Sequence, residues 1–90
     1  MNENNIIRLY HYLKNNYKRF YGFQYSYVCS SINSHYFIQC APQEFKIKAI
    51  NKTNKSDIII YQFSDHNELI ALLDTRIFLR TVFANIVKQL

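Results

Sequence analysis

The stretch EFKIKA, residues 44–49, decides how this chain folds, because its apolar and charged residues alternate strictly. In a β-strand, successive side chains point to opposite faces of the sheet. Phe45 and Ile47 would therefore share one face, and Lys46 and Lys48 would share the other. The stretch predicts a strand with a buried face and a charged, outward face.

The residues before this strand predict a β-hairpin, and those after it predict a fourth strand. A two-residue period runs over residues 23–30, where Val28 falls among the polar positions, and again over residues 36–40, where Phe37 and Gln39 alternate with the other three residues. Residues 31–34 supply turn-forming side chains. After a polar loop, residues 57–63 contain three consecutive isoleucines. A β-branched run of this kind is typical of a strand with little preference between its two faces.

Helical periodicity occurs on both sides of the strands. Residues 4–21 show an apolar face and an opposite basic face at the 3.6-residue period. The basic face comprises Arg8, His11, Tyr12, Lys18 and Arg19. Near the other end, Asp65 and Glu68 have the spacing of a capping box, and the apolar face shifts near residues 74–75. This pattern predicts one interrupted helix or a pair of helices.

Together these elements define an α+β fold. Short connections favour antiparallel neighbours, so we expect an N-terminal helix, a four-stranded antiparallel meander, and a C-terminal helix or helix pair packed on one sheet face. A chain of 90 residues can bury a single core. We therefore expect residues 1–90 to form one small domain.

This fold leaves the second face of the sheet open, and the sequence predicts a partner-binding site there. The predicted site comprises Phe37, Gln39, Lys46, Lys48, Lys52 and Lys55. The first four would mix a ring, an amide and two ammonium groups on the uncovered face, and the last two would extend it into the following loop. Exposed apolar surface usually marks an interface. The basic face of the first helix is a second candidate surface.

The charge distribution favours an acidic partner. The chain has 11 lysines and arginines against 6 aspartates and glutamates, for a formal net charge of +5. Basic residues concentrate in residues 1–21 and 44–56, whereas residues 22–43 contain no charged side chain. Nucleic acid and the acidic surface of another protein would both suit this distribution.

Residue types found in catalytic and metal sites occur, but their spacing does not support such sites. The Ser-Asp-His tripeptide at residues 64–66 stands at a helix start, where a cap is a better interpretation than a hydrolytic triad. Cys29, His35 and Cys40 lack the paired spacing typical of zinc ligands. A single glycine argues against a glycine-rich phosphate loop. We expect neither enzymatic activity nor a bound metal or cofactor.

The sequence also suggests where the protein acts. No stretch has the apolar length of a signal peptide or of a membrane span. We therefore expect a cytoplasmic protein that does not bind membranes, located in the host cell if a phage encodes it. In that compartment Cys29 and Cys40 would stay reduced.

Two functional classes remain. In the first, a small non-catalytic protein docks on a protein or ribonucleoprotein as an inhibitor or adaptor. The heavy use of Asn, Ile, Lys and Tyr, which have AT-rich codons, is typical of AT-rich genomes and mobile elements. Such elements encode small inhibitors of host nucleic-acid-targeting defence, anti-CRISPR proteins among them. In the second class, the protein binds RNA or DNA through its basic helix face and lysine-lined sheet face.

The predicted order of helices and strands resembles the α-β-β-β-α order of double-stranded-RNA-binding domains, with one additional strand. That family has a lysine cluster at the start of its last helix, whereas this chain has Asp65, Asn67 and Glu68, which would repel phosphate. Docking on a protein is therefore the preferred hypothesis. Because the predicted hairpin lacks charges, we also expect a homodimer at micromolar concentration, paired edge to edge or stacked face to face.

Overall fold

The computed structural model describes residues 3–16, 25–41 and 44–89, and it confirms the predicted α+β class. The elements in chain order are α1 (Glu3–Asn16), β1 (Ser26–Ser30), β2 (Ser34–Ala41), β3 (Glu44–Asn51), β4 (Ile58–Phe63), α2 (His66–Thr75) and α3 (Leu79–Gln89). The part of the predicted first helix beyond residue 16 lies outside the described residues.

The four strands form an antiparallel sheet in chain order, as the short connections predicted. The helices cover one face, which we call the inner face, and the other is the outer face. Phe45 and Ile47 of β3 are buried on the inner face, whereas Lys46 and Lys48 point the opposite way and keep part of their surface in solvent. The strand parity predicted from β3 is therefore confirmed.

Apolar side chains from the inner face and from the three helices form the core. Phe63, at the end of β4, stacks on Phe45 with ring centroids 5.1 Å apart and contacts the ring of Phe83 in α3 at 5.6 Å. Leu69 and Leu73 of α2 are completely buried beside them. Because each such side chain contributes about 1.5–3 kcal/mol when fully buried, apolar burial holds the helix layer on the sheet.

Tyr10 fixes α1 to this core. Its ring lies against that of Phe63, with centroids 6.4 Å apart, and its hydroxyl donates a 3.0 Å hydrogen bond to the backbone carbonyl of Ser64. Ile6 and Leu13 are buried on the same side of the helix. Tyr12 lies on the opposite side and is exposed. The rings of α1 thus belong to two different faces, as the periodicity predicted.

A side-chain cap begins α2. The Asp65 carboxylate accepts a 2.8 Å hydrogen bond from the backbone N–H of Glu68, as the spacing predicted. The Glu68 carboxylate accepts one from the backbone N–H of Ser64 at 2.7 Å, one residue earlier than a standard capping box would place it. This bond fastens the β4–α2 connection. At the other end of α2, the Arg76 N–H donates to the Leu72 carbonyl, and the predicted break follows.

A β-bulge interrupts the alternation predicted for β1. The pairing of β1 with β2 shifts register between Tyr27 and Cys29, which leaves Val28 as an additional residue in the strand. Val28 is buried, although the predicted alternation over residues 23–30 groups it with polar residues. The alternation is therefore wrong at this point, because the bulge restarts the inward and outward pattern.

Replacing Tyr10 with alanine should lower the free energy of unfolding by about 3–5 kcal/mol, because the change leaves a cavity beside Phe63. Tyr12→Ala is the matched control on the same helix, where the change should fall within about 1 kcal/mol. Tyr10 is 6% exposed and Tyr12 is 40% exposed. Urea unfolding followed by circular dichroism measures both. Equal losses for the two variants would contradict the assignment of helix faces.

Candidate partner-binding site

The outer face of the sheet brings together four of the residues predicted to bind a partner. Phe37 of β2 lies directly opposite Lys48 of β3, and Gln39 lies opposite Lys46. All four keep part of their surface in solvent. The described helices contribute their buried residues to the core on the inner face, so they leave this group uncovered.

The β1 bulge adds aromatic rings to this group. Tyr27 pairs with Phe37 on the outer face, where the two rings meet edge to face with centroids 5.8 Å apart. Its hydroxyl forms a 2.9 Å hydrogen bond with the hydroxyl of Ser30, which is itself bonded to the ring of His35. The ring contact and the hydrogen bond fix the side chain of Tyr27 beside Phe37.

Lys48 lies at the centre of the rings. Its ammonium is 4.0 Å from the ring centroid of Tyr25 and 5.8 Å from that of Phe37, so it makes cation–π contacts with both. Within the described residues, no carboxylate lies within ion-pairing distance of it. Lys46 differs, because its ammonium is 3.3 Å from the carboxylate of Glu44. Lys48 is therefore the cation best placed to accept a new carboxylate partner.

We use the name outer patch for this set of side chains. It comprises Tyr25, Tyr27, Phe37, Gln39, Lys46 and Lys48. The patch combines rings that can bury apolar area with one cation, Lys48, beside which the described part of the chain places no anion. Such a surface can bind a partner that offers a carboxylate surrounded by apolar groups.

The remaining predicted residues lie elsewhere. Lys52 and Lys55 are exposed in the β3–β4 loop, which is tied to the β1–β2 turn by a hydrogen bond from the Lys52 N–H to the Asn33 carbonyl. Of the predicted basic helix face, Arg8, His11 and Tyr12 are exposed on α1, whereas Lys18 and Arg19 lie outside the described residues. Because α1 belongs to the helix layer, the structure does not join this face to the outer patch.

The sequence-based prediction missed Tyr25 and Tyr27 as site residues. Both belong to the stretch of alternating residues that precedes the first turn, and the position of a bulge has no distinct mark in that stretch. A register shift of one residue reverses the face of every side chain beyond it. The available signal was composition, since Tyr25 and Tyr27 are two of the three tyrosines in a stretch without charged side chains.

The residues considered for catalysis and metal binding lie at separate places in the fold. Asp65 is the cap of α2, and the ring of His66 packs edge-on against Tyr10 with centroids 5.9 Å apart. Cys40 is buried on the inner face, whereas His35 is exposed on the outer face. Among the residues that the structure describes, no group of three potential metal ligands comes together.

None of the described helices has the length and apolarity needed to cross a bilayer. Comparison of the chain with protein-family models, with curated proteins and with solved structures finds no match. The outer patch must therefore be interpreted from its own chemistry.

Iodoacetamide should modify Cys29 well before Cys40 in the folded protein. Burial raises the pKa of both thiols, that of Cys40 to about 12, and only the thiolate reacts. At about pH 8, Cys40 should react only when the protein unfolds. Intact-mass measurements on the Cys40→Ala and Cys29→Ser variants, each with one thiol, give the two rates. Equal rates in folded protein would contradict the burial of Cys40, and urea should remove any difference between them.

Proposed function

We propose that this protein is a small non-catalytic docking protein that binds an acidic surface of a protein or ribonucleoprotein through the outer patch, as an inhibitor or adaptor. The observation that supports this proposal is the position of Lys48. Its ammonium lies among the rings of Tyr25 and Phe37 on a sheet face that the described helices leave uncovered.

The chemistry of the patch suits a protein partner. Tyrosine is enriched among the residues that contribute most to binding in protein interfaces, because its ring buries apolar area at a small entropic cost. Tyr27 and Phe37 supply such area beside Lys48. Once a partner excludes water from the rings, a carboxylate brought to Lys48 would form a charge-assisted hydrogen bond in a medium of lower dielectric constant.

Binding of single-stranded RNA or DNA on the same face is the second candidate, since rings and lysines are what such binding uses. The ring geometry makes nucleic-acid binding the weaker of the two candidate functions. Tyr27 and Phe37 meet at an interplanar angle of 73°, so two bases stacked on them would be nearly perpendicular to each other. Successive bases of a bound strand would need at least one ring to rotate away from its neighbour.

The composition suggests a finer assignment within the docking class. The abundance of Asn, Ile, Lys and Tyr suits an AT-rich mobile element, and small size with a basic net charge suits an inhibitor of host nucleic-acid-targeting defence. In that case the acidic surface would belong to a nuclease or to its ribonucleoprotein complex. A protein that imitates a nucleic acid would carry the opposite charge, so the proposed inhibitor covers a protein surface and not a nucleic-acid channel.

A charge-reversal experiment tests the patch. Lys46→Glu with Lys48→Glu should abolish capture of the partner from host lysate, because it places two carboxylates against an acidic surface. Arg8→Glu with Lys14→Glu changes the net charge equally on α1 and should leave capture unchanged. Phe37→Ser, which leaves the charge intact, should also weaken capture. Quantitative mass spectrometry of the captured proteins measures all three variants.

The same variants separate the two candidate functions. Binding of a fluorescent single-stranded oligonucleotide should be weak and should disappear near physiological salt. A nucleic-acid interface with many phosphate contacts loses about 10³-fold or more in affinity between about 50 and 200 mM salt. Tight oligonucleotide binding with that salt dependence, lost in both double variants, would overturn the docking proposal in favour of nucleic-acid binding.

A further inference from the structure

The strand β4 forms an open, uncharged edge of the sheet. Its sequence IIIYQF contains no charged side chain. Ile58, Ile59 and Ile60 are 47%, 49% and 51% exposed, so both faces of this first half of the strand are open to a similar extent. Edge strands in natural proteins are usually protected by lysine, proline or a bulge. Within Ile58–Phe63 the structure shows none of these protections.

The opposite edge of the sheet is protected. In β1 the bulge at Val28 disrupts the ladder, and the Val28 carbonyl accepts a 2.9 Å hydrogen bond from the side-chain amide of Gln89 in α3. Bulges twist an edge away from regular pairing. Within the described residues, the sheet therefore has one edge suited to pairing with a further strand, which favours a closed pair over an open chain of molecules.

A groove continues this edge on the inner face. It has a volume of about 670 Å³; Ile32, Ile59, Tyr61 and Phe78 supply large apolar side chains to its lining, and Ser31, Asn33 and Ser34 supply polar ones. The Phe78 ring lies 5.9 Å from that of Tyr61, whereas Ile59 on the same face stays exposed. The groove is lined without any charged side chain. A partner at the β4 edge would thus bury apolar area in addition to backbone hydrogen bonds.

We propose that a second copy of this chain pairs with β4 in antiparallel orientation, so that two sheets become one eight-stranded sheet with a two-fold axis at Ile60. In this register Ile59 lies opposite the partner subunit's Tyr61, which closes the groove from both sides. Such pairing is self-complementary, as a two-fold interface requires.

The absence of charged side chains in β4 makes this strand a favourable place for two copies to meet. The chain carries a net charge of +5, so two copies repel each other least where both surfaces are neutral. Stacking of the outer faces would instead bring Lys48 close to its counterpart. Because pairing of a six-residue strand buries less than a standard interface, we expect dissociation in the micromolar range.

Sedimentation equilibrium of the full chain tests the proposal. Wild-type protein should change from monomer to dimer as its concentration increases through the micromolar range. Ile60→Glu should raise the dissociation constant about tenfold, because it places two carboxylates directly opposite each other at the two-fold axis of the pairing. The new carboxylate faces Lys48 across the strand pair, which supports folding of the variant monomer. Circular dichroism confirms that the fold is retained.

Tyr27→Glu is the matched control. It adds the same charge to the other edge strand of the outer face, at a residue with 54% exposure against 51% for Ile60, and it should leave the dissociation constant unchanged. A second measurement needs no variant, since backbone amides of β4 should exchange more slowly as the protein concentration increases. A wild-type monomer at hundreds of micromolar, or dissociation by Tyr27→Glu and not by Ile60→Glu, would overturn the proposal.

Discussion

Phe63 contacts a ring from each of three other elements. It stacks on Phe45 of β3 at 5.1 Å, meets Phe83 of α3 at 5.6 Å, and lies 6.4 Å from Tyr10 of α1. The next residue, Ser64, accepts the Tyr10 hydroxyl and donates its N–H to the Glu68 carboxylate. The sheet, the N-terminal helix and the start of α2 are thus fixed to one another around a single position.

This arrangement determines what the outer face can do. The inner face of the sheet and the three helices place most of their large apolar side chains in one core, and no polar or charged side chain of the described residues is buried there. Polar and charged residues of the strands must then lie outward, where Lys46 and Lys48 stand next to rings of β2 and of the segment at Tyr25. The outer patch is therefore a consequence of strand alternation and not a separate addition to the fold.

Alternation explains why much of the fold and part of the site could be predicted. In β3 the charged residues permit one orientation only, so the outward position of Lys48 and its neighbour Phe37 followed from sequence. The bulge at Val28 could not be predicted, because its backbone geometry depends on contacts with β2 and α3 and not on residue type. The three consecutive isoleucines of β4 did not predict which face of the strand is buried, and in the structure all three are exposed.

The distance between the outer patches of two copies follows from the position of Lys48 relative to the uncharged edge strand β4. In the proposed dimer, Lys48 is one strand inward from β4 on each side of the two-fold axis, in the same row as Ile60. Because neighbouring strands are about 4.8 Å apart, the two Lys48 positions would be three spacings, or about 14 Å, apart on one continuous face. A partner with two acidic groups at that separation would engage both patches at once, and the second contact would be intramolecular. Dimerisation would in this way strengthen binding of the partner without any new residue in the patch.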